Sequence, residues 1–219
     1  MRYKAFLFDL NGTMINDMAY HIKAWHRILN DLGVEISMER MKAECYGKND
    51  EILERICPGR FTQEQKEMMS MEKEMQYQKE FRPSLKLIKG LDVLLEQSQN
   101  AGIKMAIGSA AIMFNIDFVI DGLGIRHYFD ALVSADNVAK SKPDPETWLT
   151  CAKELNIAPA DCLVFEDSPK GVESALNAGM DCVVITTLHQ PEDFKSYKNV
   201  IRFIEDFDKL DIFEMKNEE

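Results

Sequence analysis

Lys4-Ala5-Phe6-Leu7-Phe8-Asp9-Leu10-Asn11-Gly12-Thr13 is the stretch on which the fold turns. Four consecutive apolar residues, two of them aromatic, run into a carboxylate and then into Asn-Gly. A short continuous apolar run suits a central parallel strand covered on both faces. Such a strand places Asp9 at the carboxyl edge of a sheet, where open α/β folds hold their ligands. Asn-Gly between apolar residues is also the signature of a β-hairpin. The stretch alone leaves both open; three later strand-to-loop junctions decide between them.

Downstream, Ile22, Trp25, Ile28, Leu29 and Leu32 fall at helical spacing and predict a helix over 19–32, capped by Gly33. Ser37 opens a second helix to about Cys45, residues 46–50 read as a loop, and residues 51–56 as a third helix. Thr62 with Gln65 makes a capping box for a long helix to Phe81, on which Met68, Met71 and Met75 are expected to pack. Residues 17–83 thus look all-helical, closed by Pro83. From Gly90 the pattern alternates: helix 91–100, strand 103–108 ending at Ser109, helix 114–123, strand 128–133, and a loop Ser141-Lys142-Pro143-Asp144-Pro145 opening a helix to Leu155. Strand 161–165 then ends at Glu166-Asp167, Ser168-Pro169 starts a helix stopped by Gly179, and strands follow at 182–185 and near 200–204. Alternating strands and helices with a helical block after the first strand describe an α/β fold: a doubly wound, Rossmann-like parallel sheet core (residues 1–16 and 84–219) carrying an all-helical insertion (residues 17–83).

The 219 residues, 46% hydrophobic and 29% charged, can bury such a core. With 37 acidic against 26 basic residues the chain carries a net charge of −11, which disfavours nucleic acid and anionic membrane surfaces as partners. A small phosphorylated substrate remains compatible, since a local metal or lysine reverses the field. Cys45, Cys57, Cys151, Cys162 and Cys182 are odd in number and lack a C-x-x-C pair, so they read as reduced thiols. With no signal-peptide pattern and no long apolar run, the expectation is a soluble cytoplasmic monomer.

Asp9, Ser109, Lys142 and Glu166-Asp167 all end strands or lie just beyond them. Singly they are a turn acid, a helix cap, a solvated lysine and a capping pair; together they mark one sheet edge. Here the chain closely resembles the haloacid dehalogenase superfamily, in its β-phosphoglucomutase-like branch. The motif Asp-x-Asp-Gly-Thr is matched by Asp9-Leu10-Asn11-Gly12-Thr13, the strand-ending Ser/Thr by Ser109, the motif lysine by Lys142 and the acidic motif by Val164-Phe165-Glu166-Asp167-Ser168-Pro169-x-Gly171. The likeness spans essentially the whole chain, with residues 17–83 as the helical cap. It implies that Asp9 attacks phosphorus, that Ser109, Ala110 and Lys142 hold the phosphoryl group, and that Mg²⁺ sits on Asp9, the carbonyl of Asn11 and Asp167, with Glu166 bound through water or orienting. His21, Gly47 and Lys73 would bind substrate from the cap; the plainer alternatives are a packed histidine and a solvated lysine.

The sequence departs from the family where its second aspartate, the general acid/base, is replaced by Asn11. An amide has no titratable proton, and general acid–base help is typically a factor of about 10²–10⁴. Asp17 and His21 are the nearest substitutes in sequence. Asn11-Gly12 is also prone to deamidation in flexible chains, which would create an aspartate there. After Gly47, Asp50 replaces a phosphate-gripping arginine, and Ala111-Ile112-Met113 replaces a polar run. The resemblance therefore implies a Mg²⁺-dependent phosphatase, or a phosphomutase, acting on a small phosphorylated metabolite such as a sugar phosphate. The alternatives are a catalytically impaired ligand-binding member and, more weakly, a haloacid dehalogenase.

Overall fold

The computed structural model describes residues 2–208 and 210. The chain divides into two compact units, Met1–Asn16 with Lys86–Glu219 and Asp17–Leu85; the expected core assignment of residues 1, 209 and 211–219 lies outside the described residues.

In the first unit six strands form one parallel sheet: β1 (Ala5–Phe8), β2 (Lys104–Gly108), β3 (Ala131–Val133), β4 (Cys162–Glu166), β5 (Asp181–Ile185) and β6 (Val200–Ile204), in the order β3-β2-β1-β4-β5-β6. β1 lies parallel to both β2 and β4, with Phe8 opposite Ile107 and Phe165, which rules out the hairpin. Asn-Gly instead makes a compact turn in which Gly12 N–H donates to Ile15 O at 2.8 Å. The order reverses direction at β1, so the ends of β1, β2 and β4 converge where open α/β sheets bind ligands.

Period-two alternation splits β1 between two cores. Ala5 and Leu7 join a buried cluster with Trp148, Cys151, Val164 and Val172. Phe6 and Phe8 pack the other way, on Phe165 at 5.4 and 4.7 Å between ring centroids. Helices α7 (Glu146–Leu155) and α8 (Pro169–Asn177) cover strands β1–β3 and β4–β5. Helices α5 (Leu91–Asn100) and α6 (Met113–Gly122) complete the alternation.

The second unit contains α1 (Met18–Asp31), α2 (Met38–Glu44), α3 (Asn49–Ile56) and α4 (Gln63–Phe81), packed around Trp25, Leu29, Met41 and Leu53. Ser37 Oγ caps α2 by accepting from Arg40 N–H, and Thr62 and Gln65 form the expected capping box. The unit's two chain ends meet: Tyr20 O–H donates to Ser84 Oγ at 3.1 Å, and its ring lies 5.0 Å from that of Phe81.

Three expectations need correction. Asn49 and Asp50 are helical rather than loop, because Glu51 accepts the Lys48 N–H and starts the helix earlier. Residues 126–128 form a 3₁₀ turn, so the third strand shortens to Ala131–Val133. Met68, Met71 and Met75 do not pack: they face solvent, while Met69, Lys73, Tyr77 and Phe81 make the inward stripe of α4. All five cysteines are free, and burial pushes their thiols up, Cys45 and Cys162 to about 11. Among the described residues no helix is long and apolar enough to cross a membrane.

Phe165 joins both ring contacts of β1, so Phe165→Ala should cost about 3–5 kcal/mol of stability, read from the urea midpoint at unchanged m-value.

Candidate active site

Each polar residue at the sheet edge is delivered by a strand end or helix start. Asp9 follows β1, its N–H bonded to Phe165 O at 3.0 Å and the residue only 7% exposed. Lys142 enters from the loop before α7. Its Nζ donates to Asp9 Oδ1 at 2.7 Å, Glu166 Oε1 at 2.8 Å and Gly108 O at 3.1 Å, spending all three ammonium protons. The ring of Trp148 lies 4.1 Å from the same nitrogen. Glu166, the last residue of β4, turns its other oxygen to the start of α8. There Oε2 accepts from the backbone N–H groups of Asp167 and Ser168, both at 2.8 Å, and from Ser168 Oγ. A helix N-terminus is where a carboxylate belongs, because its first N–H groups lack partners.

Two glycines make room for the acids. A Cβ on Gly171 would lie 1.7 Å from Glu166 Oε1, and one on Gly12 would lie 2.0 Å from Asp167 Oδ2. Gly12 also has φ +81°, a conformation L side chains rarely adopt. Its carbonyl accepts the Thr187 hydroxyl at 2.6 Å.

Asp9, Glu166 and Asp167 are all buried and offer carboxylate oxygens within 4.8 Å of one another. Burial raises the Asp9 carboxyl, Lys142 draws it down and Glu166 raises it again, with a net rise from 3.8 to about 7. Burial opposes the charge on Lys142, but Asp9 and Glu166 outweigh it and hold the ammonium above its ordinary value. The remaining predicted residues of this unit lie close by in the chain. Ser109 is buried after β2 with Oγ accepting from Ala111 N–H, Ala110 is half-buried beside it, and Asn11 is half-buried in the turn after β1. Sequence reasoning missed Trp148 and Thr187, which carry no local signal; Gly171 was visible in its motif but not its reason.

His21, Gly47 and Lys73 belong to the helical unit. Lys73 is 3% exposed, not a solvated helix charge. Its Nζ contacts His21 Nδ1 at 2.7 Å and Glu74 Oε1 at 2.9 Å, while His21 Nε2 faces Asp17 Oδ2 at 3.2 Å. An ammonium can only donate, so this arrangement suits an imidazole whose proton sits on Nε2. The His21 ring stacks on Tyr77 at 3.8 Å, and Tyr77 O–H donates to Asp17. Burial works against the charge of Glu74, but the Lys73 ammonium and the Asn49 amide hold its carboxyl below the ordinary value. Gly47 lies between α2 and α3 with φ +81°.

A model of the family described as haloacid dehalogenase-like hydrolase matches residues 6–185. The chain belongs to the haloacid dehalogenase-like hydrolases. Within this family a fructose-1-phosphate phosphatase of Escherichia coli (strain K12) is 31% identical over 187 residues, 85% of this chain and 98% of that protein. The β-phosphoglucomutase of Bacillus subtilis (strain 168) is 32% identical over 191 residues, 82% of each. The crystal structure of a family IA, variant 3 haloacid dehalogenase-like hydrolase from Entamoeba histolytica matches with a TM-score of 0.87 at 28% identity, over 97% of both chains. The expected family, its β-phosphoglucomutase-like character and the doubly wound fold are thereby borne out.

Two outcomes follow for this hydrolase. Gly171→Ala should displace the Glu166 carboxylate and lower the thermal midpoint by several degrees, about 2 kcal/mol or more of stability. For Asp9, the native state holds its proton to about pH 7 and the unfolded chain releases it near 3.8. The native form binds more protons between those values, so its stability falls as pH rises across that window. In chelator, the midpoint of Asp9→Asn relative to the parent should therefore rise from about pH 4 to about pH 8.

Proposed function

We propose that this chain is a Mg²⁺-dependent phosphoryl-transfer enzyme, a phosphatase before a phosphomutase, acting on a small phosphorylated metabolite of the sugar phosphate class. The observation that carries the reading is the buried Asp9–Lys142–Glu166–Asp167 cluster at the reversal point of the sheet. The substrate class is supported by the relatives, a fructose-1-phosphate phosphatase and a β-phosphoglucomutase. Hydrolysis is favoured over mutation because Asp50 and the apolar run at 111–113 offer no second grip on a bisphosphate.

The donor set fits a hard divalent cation. Three buried acids converge there and only Asp9 and Glu166 reach the Lys142 ammonium, and excess buried charge of one sign is costly unless an ion compensates it. Asp9, Asp167 and the Asn11 carbonyl would hold the ion. Glu166, whose two oxygens already accept from Lys142 and the start of α8, would orient the lysine. Bound there, the ion offsets the repulsion between carboxylate and phosphate.

Asp9 Oδ attacks phosphorus and the bond to the leaving oxygen breaks, giving an aspartyl phosphate that water then cleaves to release phosphate. The N–H groups after β1 and the Ser109 hydroxyl hold the phosphoryl oxygens, while Lys142, its protons on Asp9, Glu166 and Gly108 O, offsets their charge. The leaving oxygen needs a proton, and Asn11 has none to give. The second reading, an impaired member that binds its ligand with little turnover, rests on that one side chain. His21 does not stand in readily, since both its nitrogens are engaged by Asp17 and Lys73.

Phosphate release from a panel of phosphorylated sugars decides between the readings. The enzyme reading expects turnover that chelator abolishes and Asp9→Asn removes, and a gain of about 10²–10⁴-fold in Asn11→Asp. No turnover by either the parent or Asn11→Asp on any member of the panel would overturn it.

A further inference from the structure

Asn11-Gly12 unites a side-chain amide with an unhindered following nitrogen, the pairing in which a backbone amide most easily attacks its neighbour's side chain. The fold places this pair in a turn packed against the Asp167 carboxylate, and binds both peptide groups of Gly12. Gly12 N–H is held by Ile15 O at 2.8 Å, and Gly12 O accepts from Thr187 Oγ1 at 2.6 Å. Asn11 itself forms a parallel bridge with Ile15. Gly12 is fixed at φ +81°, with the Asp167 carboxylate filling the space a Cβ would need.

We infer that Asn11-Gly12 is a deamidation site held shut by the native turn, and that opening it converts this chain into a faster phosphoryl-transfer catalyst. The second half rests on the reading of Asn11 under Proposed function. In the step itself the Gly12 nitrogen attacks Asn11 Cγ, a nitrogen–carbon bond forms and ammonia leaves with the proton the nitrogen loses. Water then opens the resulting five-membered imide at either carbonyl, giving aspartate or isoaspartate at position 11. No oxidant, reductant or further reactant is needed.

Ring closure requires the Gly12 nitrogen to give up its proton and turn toward Cγ. In the native turn that proton is donated to Ile15 O, and the Thr187 hydroxyl resists rotation of the next peptide group. The native rate is therefore set by the population of the locally opened turn. In the unfolded chain no such population factor applies. The aspartate product places a titratable carboxyl where the amide stood, which supplies the missing general acid. The isoaspartate product lengthens the backbone at a turn that has no slack and does not.

The full chain is aged in mildly alkaline native buffer and, in parallel, in urea, and the peptide containing Asn11 is followed by mass. Conversion is expected to be more than about tenfold slower in native buffer, the factor set by the opening equilibrium. Thr187→Val, which removes the hydroxyl on Gly12 O, should raise native conversion several-fold toward the urea rate. Thr187→Ser, which keeps the hydroxyl, should leave it low. Equal conversion in native buffer and urea, or equal native conversion in Thr187→Val and Thr187→Ser with both folded, overturns the gate. The aspartate-bearing fraction, separated by charge after refolding, should match Asn11→Asp in phosphate release. If the gate holds but neither outpaces the parent, the reading of Asn11 and the activating half fall together. If Asn11→Asp gains activity without a gate, that reading stands and this inference falls.

Discussion

A single buried ammonium organises the carboxyl end of the sheet. Lys142 reaches two carboxylates from different strands and one backbone carbonyl, and it has no proton left over. Such a group costs several kcal/mol to bury and recovers that only when its geometry is complete. The geometry in turn fixes much else: Glu166 cannot move without stranding the lysine, and it is anchored on the first turn of α8. Strand end, loop and helix start are thus held in one register by charge–charge hydrogen bonds rather than by apolar packing. The packing beneath supplies rigidity, through Phe8 stacked on Phe165 and Trp148 under Gly108.

The fold was legible because its signals are short-range. β1 is an uninterrupted apolar run, the later strands end at polar residues, and Ser37, Thr62 and Ser168 cap helices as their side chains dictate. The acids and the serine were legible for the same reason, since each sits at a strand-to-loop junction, and the lysine because it lies in the Pro-bracketed loop that opens α7. What escaped has two causes. The Thr187 hydroxyl on the Gly12 carbonyl joins residues far apart in sequence, whereas Trp148 lies only six positions after Lys142 but meets it through the three-dimensional path of the turn into α7.

Helix α4 shows a different kind of illegibility. Its inward stripe carries Lys73, Glu74 and Gln78 among Met69, Tyr77 and Phe81, while three methionines lie outward. A helix whose polar residues are buried through mutual pairing inverts the usual reading, in which apolar spacing marks the core. The charges are tolerated because Lys73, Glu74, Asn49, His21 and Asp17 satisfy one another. No pattern in the helix alone announces those partners.

The pairing of Tyr20 with Ser84 bears on how the chain folds. β1 and β2 are neighbours in the sheet, yet the whole helical unit lies between them in sequence. Joining them from an unfolded chain means closing a long loop, at an entropy that grows by about 0.6 kcal/mol for each doubling of its length. A helical unit that assembles first and clasps its own ends together replaces that loop with a short effective tether. Its neighbouring helices pack on one another, α1 on α2 and α3 on α4, and such local contacts form fastest, while α1 on α4 brings the ends together. The inserted unit would then act as a catalyst of topology for the sheet, and loosening its ends would slow the pairing of β1 with β2 without touching either strand.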